Sequence, residues 1–321
     1  MSEKILVTGA FGQIGTELVE ALQKKYGTSN VIALGHHNIP ANFAGVLEKG
    51  TTEDKEFMRG LIKKHNLTQI YHLVSVLSVT GEKNPQLAWD VNVTSLKNIL
   101  DLAVDYKVKV LLPSSIAVFG LTTPRENTPQ HTILEPTTMY GVTKVAGELL
   151  SQYYFNKYGL DVRGIRYPGL ISWKAEPGGG TTDYAVAIFY DAIKTGKYAC
   201  YLRDDSTMPM MYMDDAIKGT IQIMEADPAK IKVRTSYNLA AISFSPKQIA
   251  AELKKHIPAF ECTYAPDFRQ KIADSWPMSI DDSAARKDWG WKPDYDLPKM
   301  VADMLQHLRK KLGATTAKAL A

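Results

Sequence analysis

Lys4-Ile5-Leu6-Val7-Thr8-Gly9-Ala10-Phe11-Gly12-Gln13-Ile14-Gly15 is the stretch that decides the fold. Its first five residues form a short apolar run closed by Gly9, the pattern of a buried strand. Beyond the turn, Ile14, Leu18, Ala21 and Leu22 recur at helical spacing, so residues 12–25 read as an amphipathic helix. The three glycines are spaced GxxGxxG between strand and helix. Glycine in such a turn permits a positive φ, and the missing side chains let a pyrophosphate lie against backbone N–H groups. The last glycine lets the helix pack closely on the strand. A βα turn without a ligand would not need three spaced glycines, so Gly9, Gly12, Gln13, Ile14 and Gly15 are expected to hold a dinucleotide.

Outward from this unit, strands are expected at 31–34, 69–74, 109–112 and 161–166, and helices at 53–65, 85–106 and 138–158. Strands alternating with helices at this pitch make βαβ units and a doubly wound parallel sheet of the Rossmann type. After about residue 166 the rhythm changes, with Pro168-Gly169 and Pro177-Gly178-Gly179-Gly180 as punctuation. Helices are expected at 183–194, 214–225 and 246–256, with a terminal helix to about Leu312 and a short strand at 236–239. The expected division is a dinucleotide-binding domain over 1–166, with a return segment near 212–240. A smaller C-terminal α/β substrate-binding domain is then expected over 167–211 and 241–313, with a frayed tail over 314–321.

Composition narrows the function class. Of 321 residues 45% are hydrophobic and 22% charged, which excludes a disordered chain or a rod. The net charge of +4 comes from interleaved acids and bases, so nucleic acid is not an expected partner. No apolar run nears the ~20 residues a membrane span needs. Cys200 and Cys262 lie far apart with no CxxC partner, so neither zinc nor a disulfide scaffold is expected, and a reducing cytoplasmic setting fits. No signal or transit segment reads ahead of Ile5.

Tyr140-Gly-Val-Thr-Lys144 opens the helix expected at 138–158. Positions i and i+4 share a face, so phenol and ammonium reach one cleft. A phenol with a pKa near 10 is a poor base at neutral pH, and a neighbouring ammonium is expected to lower that value. Ser114 and Ser115 follow the strand expected at 109–112, at its carboxyl end, where ligands collect in open parallel sheets, and a hydroxyl there can orient an alcohol. Asn92 lies in the preceding helix, where it holds a relay water or braces that helix. At the end of the second strand the acid that usually takes the adenosine ribose is absent, with Gly35 in its place. His36 and His37 follow, and no arginine stands ready for a 2′-phosphate. An aspartate introduced at Gly35 is expected to sharpen a preference for NAD.

The first 166 residues resemble an extended short-chain dehydrogenase/reductase of the epimerase/dehydratase type. Nearly the whole chain is similar to the short-chain family of L-threonine 3-dehydrogenases. The stretches that carry this are 112–120 (LPSSIAVFG), 166–172 (RYPGLIS), 177–185 (PGGGTTDYA), 202–215 (LRDDSTMPMMYMDD), Ser275-Trp276-Pro277 and 281–290 (DDSAARKDWG). The departure is Gly35, where the family usually has an aspartate.

The resemblance implies NAD as cofactor. It brings Asp54, Leu73, Val74, Ser75, Asn92, Tyr140, Lys144, Tyr167, Pro168 and Leu170 to the cofactor beside the glycine turn and Gly35. It also implies a substrate site of Ser78, Ser115, Tyr140, Gly180, Thr181, Thr182 and Asp183, and a homodimer paired through the long helices. The implied reaction is NAD-dependent oxidation of L-threonine at C3 to 2-amino-3-oxobutanoate, with Tyr140 as base and Ser115 and Lys144 assisting. The alternative is a nucleotide-sugar epimerase or dehydratase, but the asparagine that such enzymes carry after the fifth strand is absent from Arg166-Tyr167-Pro168-Gly169. A dinucleotide sensor would have no use for the Tyr–Lys pair. Trp276 is expected to be lid or core packing, and the methionines of 208–213 to be core.

Overall fold

The computed structural model describes residues 3–36, 39–178 and 180–319, with side chains as far as Gly313. Seven strands form one sheet: β1 (Ile5–Thr8), β2 (Val31–Gly35), β3 (Val46–Lys49), β4 (Gln69–His72), β5 (Lys109–Ser115), β6 (Val162–Tyr167) and a last one, Tyr237–Asn238. The order across the sheet is Tyr237–Asn238, β6, β5, β4, β1, β2, β3, with every pairing parallel. The chain therefore reverses its direction of travel between β1 and β4. The loops leaving those two strands diverge there and open a crevice at their carboxyl ends.

Strand residues alternate between two cores. Ile5 and Val7 of β1 join Leu111 and Ile165 on one face, while Leu6 joins Ile32, Ile70, Val110 and Leu112 on the other. A sheet buried on both faces reads as near-continuous apolar runs, which is why four of its strands were plain in the sequence beside β1. The helices α1 (Gln13–Tyr26), α2 (Lys55–His65), α3 (Ser78–Lys83), α4 (Pro85–Trp89), α5 (Ser95–Tyr106) and α6 (Met139–Tyr158) cover these faces. The segment expected as one helix over 85–106 is α4 and α5 joined through a π-helical turn, Asp90–Thr94.

The strand β3 escaped sequence reading because it is an edge, its four residues all partly or wholly exposed. Four further short strands also escaped: β7 (Gly169–Ile171), β8 (Lys197–Cys200), and, around the expected 236–239 strand (β10, Tyr237–Asn238), β11 (Ile242–Phe244) and β12 (Glu261–Tyr264). Between β8 and β10 lies β9 (Met208–Tyr212), the centre of a second sheet in the order β11-β9-β7. Its methionines Met208, Met210 and Met211 are fully buried, as core. A third core joins β9 to α7 (Tyr184–Lys194), α9 (Pro246–His256) and α12 (Leu297–Ala319), through Phe189, Leu253, Met304 and others. The helix α8 (Met213–Glu225) packs on α1, and α10 (Arg269–Asp274) and α11 (Ser283–Trp289) complete the set. The terminal helix runs past Leu312 to Ala319, into the segment expected to fray.

Candidate active site

Three connected hollows follow the carboxyl edge of the sheet. The first, about 430 Å³, is walled by Gly9, Phe11, Gly12, Gly35 and His36 on one side and Leu73, Val74 and Ser75 on the other. The second, about 180 Å³, shares Leu73 and Ser75 with it and adds Gln13, Ile14, Ser115, Tyr140, Lys144, Tyr167, Pro168 and Leu170. The third, about 460 Å³, takes over at Thr182 and Asp183 and is closed by Ser78, Gly180, Thr181, Arg269 and Trp276. Nearly all the site residues read from sequence thus lie along one groove.

The glycines do what their spacing requires. Gly9 has φ +64°, and a Cβ on it would stand 3.0 Å from the Val74 nitrogen across the groove. A Cβ on Gly15 would stand 2.2 Å from the Gly9 carbonyl oxygen, so this glycine closes helix onto strand rather than lining the groove. Gly12 is the N-cap of α1, whose N-terminus faces the first hollow without a capping side chain. A cradle that side chains would fill, at the start of a 14-residue helix, fits a dinucleotide pyrophosphate.

At the middle hollow the chain holds its reactive groups by regular structure. The Thr138 side chain caps α6 by accepting from the Gly141 N–H at 3.1 Å. A Cβ on Gly141 would come within 2.2 Å of the Ala117 carbonyl oxygen, so only glycine lets α6 sit this close to the turn after β5. That closeness sets Tyr140 beside Ser115. The Ser115 oxygen accepts from the Ala117 N–H at 3.2 Å, and its side chain hydrogen-bonds the Tyr140 phenol. Lys144 is buried, its Nζ donating to the Pro113 carbonyl at 3.0 Å and standing 5.4 Å from the Tyr140 ring centroid. The expected lowering of the phenol by this ammonium is not met. Burial pushes Tyr140 up to about 12, opposed by its Ser115 hydrogen bond. Burial likewise pushes Lys144 down to about 8, opposed by the Glu148 carboxylate.

Two supports lie beneath these groups, of which Asn92 was named from the sequence and Glu148 was not. Glu148, one helical turn beyond Lys144, is fully buried and accepts from Ser114 Oγ at 2.6 Å and from Arg166 Nε and Nη2 at 2.8 and 2.6 Å. Arg166 continues to the Gln130 carbonyl and Asn238 Oδ1. An acid at i+4 from Lys144 on an otherwise buried face was the available signal. Asn92, in the π turn, accepts from the Val76 N–H at 2.7 Å and donates to the Val76 carbonyl and Thr143 Oγ1. Its polar atoms are committed to holding the 75–76 loop against α6, so it braces the site; it has no hydrogen bond to Tyr140, Lys144 or Ser115.

On the adenosine side two of the expected residues are held in local contacts. Asp54 caps α2, accepting from the Phe57 N–H at 2.9 Å, and the groove there is lined by Gly50, Thr51, Thr52 and Glu53 instead. Helix capping, a local demand, occupies one of its carboxylate oxygens. Gly35 does line the groove, but its missing side chain has no space to be restored: a Cβ would stand 2.5 Å from Phe11 Cε2. An aspartate at this position would have to displace the Phe11 ring. His37 lies outside the described residues.

On the far side, Asp183 Oδ2 accepts from the Gly178 and Gly180 N–H groups at 2.7 and 2.8 Å, tying the glycine loop to the turn that starts α7. Thr181 is buried, and Thr182 packs against Gly169, where a Cβ would stand 2.7 Å from its Cγ2. Capping and access to the groove coexist here. Trp276 both walls the third hollow and packs on two cores.

Residues 5–240 match the model of the NAD dependent epimerase/dehydratase family. The chain belongs to that family. Its relatives carry two kinds of description: an uncharacterized epimerase/dehydratase of Staphylococcus haemolyticus is 50% identical over 314 residues, 96% of this chain and 98% of its own length, while others are described as L-threonine dehydrogenases. The L-threonine dehydrogenase of Clostridium difficile superposes with a TM-score of 0.95 at 47% identity, over 97% of this chain and 98% of that one. An L-threonine 3-dehydrogenase from a metagenome, described as monomeric, gives 0.91 at 50%, over 95% and 99%. The mitochondrial L-threonine 3-dehydrogenase of Bos taurus is 45% identical over 306 residues, 94% of this chain and 82% of its own length.

Proposed function

We propose that this family member oxidises the C3 hydroxyl of L-threonine to give 2-amino-3-oxobutanoate, with NAD as cofactor. The observation that carries the reading is the single groove in which the Tyr140–Ser115–Lys144 group opens directly onto the Thr182–Asp183 turn. NAD, when bound, supplies the acceptor for the hydride leaving C3. The chain supplies the rest. The Tyr140 oxygen, once ionised against the cost of its burial, takes the hydroxyl proton, and Ser115, its own oxygen pinned by Ala117, donates toward the same oxygen. Lys144 provides the positive charge that a buried phenolate needs, and Glu148 keeps that charge from being lost to burial. The glycine loop and Thr181 or Thr182 receive the substrate carboxylate, and the open oxygen of Asp183 faces its ammonium. The test is NADH absorbance on adding L-threonine, run beside binding of UDP-glucose. Threonine-dependent reduction supports the reading; UDP-glucose binding without it assigns the groove to a nucleotide sugar.

The same reading places the enzyme in the cytoplasm, where the free thiols Cys200 and Cys262 would stay reduced. It also makes the enzyme a homodimer. Val142, Leu149 and Tyr153 form an exposed stripe along α6, and Leu87 and Trp89 are exposed on α4 beside it. Sedimentation at micromolar concentration should give about twice the mass of one chain. A monomer mass would align this protein with its metagenome relative.

A further inference from the structure

The dinucleotide fold usually distinguishes its cofactors at the end of the second strand, where a carboxylate takes the ribose 2′-hydroxyl and repels a 2′-phosphate. Here that position is Gly35, and the space a side chain would use is taken. A Cβ on Gly35 would lie 2.5 Å from Phe11 Cε2, 2.6 Å from Phe11 Cδ2 and 3.1 Å from Ile39 Cγ1. The Phe11 ring belongs to the glycine turn and is steadied from behind by Phe43, edge to face with centroids 5.1 Å apart and planes at 88°. Phe11 and Gly35 wall the same hollow. The one acid lining that hollow, Glu53, accepts from the Thr51 hydroxyl at 2.9 Å, and no lysine or arginine lines it among the described residues.

We propose that Phe11 is the specificity-determining residue of this cofactor site. Its ring stands in place of the absent carboxylate, admitting an unphosphorylated ribose and presenting an apolar wall to a 2′-phosphate. The carboxylate of other dinucleotide sites selects by a hydrogen bond and by charge. A ring selects by cost: a dianion moved against it gives up water, and among the described residues the lining offers it one imidazole, His36, and no lysine or arginine. Selectivity for NAD then arises with no favourable bond to the 2′-hydroxyl, and Phe11 and Gly35 act as a pair, since a larger residue at 35 fits only if the ring at 11 is gone.

The proposal rests on the dinucleotide reading of the groove and not on threonine as substrate, so it is tested by calorimetric titration of NAD and of NADP without amino acid. Wild type should bind NAD more tightly. Phe11→Ala should cut the NAD-to-NADP affinity ratio by about tenfold, chiefly through tighter NADP. Gly35→Asp alone should weaken NAD by about tenfold, because the ring must be displaced. Phe11→Ala/Gly35→Asp should recover NAD binding and reject NADP. Thermal melts followed by circular dichroism check each variant, and Phe11→Leu, with the same expected direction, stands in if Phe11→Ala does not fold. The assignment is overturned if wild type prefers NADP, if Gly35→Asp alone leaves NAD binding unchanged or tighter, or if removing the ring leaves the ratio within about twofold. Binding of neither nucleotide to wild type overturns the cofactor reading together with it. NAD binding with no threonine oxidation overturns only the substrate reading.

Discussion

The two ends of the groove are built on different physics. At the reaction end, Ser115, Tyr140 and Lys144 project from the end of β5 and the first turns of α6, and beneath them Glu148, Arg166 and Asn92 are buried with hydrogen-bonded partners. At the adenosine end the wall is an edge strand, a loop and one phenylalanine leaning on another. A proton transfer needs its groups held to within about half an ångström. Holding an adenosine needs only shape. Rigidity is therefore concentrated in buried polar bonds where chemistry happens, and apolar contact suffices elsewhere.

That contrast can be broken most sharply at Tyr140. Tyr140→Phe removes only the phenol oxygen and should lower kcat by about 10²–10⁴-fold while NAD affinity stays near that of wild type. Turnover close to wild type in a stopped assay of NADH formation would take Tyr140 out of the chemistry. Next comes its foundation. Glu148→Ala leaves the buried Arg166 guanidinium without its carboxylate, and urea unfolding should show a loss of about 3–5 kcal/mol. A loss under about 1 kcal/mol would show the pair to be as dispensable as a surface bridge.

The third test uses pH. Lys144 gives up its proton near pH 8 in the folded protein, against an ordinary value of 10.5, because burial disfavours its charge. Between those values the unfolded chain holds more protons, so stability from this group rises with pH across that window. Relative to Lys144→Met, wild type should gain about 2 kcal/mol between about pH 7.5 and about pH 9.5, a pKa unit being about 1.4 kcal/mol. A flat difference between the two proteins would mean that Lys144 is not desolvated. The smallest effect belongs to the adenosine end: Phe43→Leu loses an edge-to-face contact and should lower stability by at most about 1.5 kcal/mol, leaving kcat unchanged. A drop in kcat there would show that the two ends are coupled.

What could be read in the sequence follows the same line. The glycine turn and the Tyr140–Lys144 spacing were legible because each is a local pattern, a few residues whose geometry is fixed by one turn of chain. The sheet was legible because its central strands are apolar on both faces. The Glu148–Arg166 pair, 18 positions apart, is made by packing α6 on β6 and leaves no periodic trace. Asp54 caps α2, a role that a carboxylate before a helix takes as readily as that of a ligand. At Gly35 the lack of a side chain reads in the sequence as an absence, and the structure sets the ring of Phe11, 24 positions earlier, in that space. The short strands β3, β8 and β12 were missed because exposed alternation over four residues is no longer than chance.

The π turn at Asp90–Thr94 carries a consequence of its own. Its closing bond runs from the Ser95 N–H to the Asp90 carbonyl, five residues back, so the helix carries one residue more than a regular winding would hold. The extra residue is taken up inside the turn, so α4 and α5 keep nearly the phase that a regular helix would give them. Removing one residue here would let the winding become regular with α4 and α5 close to where they are, but the wide turn that presents the Asn92 amide to Val76 would be lost. A single codon deletion at this point would thus act like a removed shim, loosening the 75–76 loop while sparing the proposed subunit face.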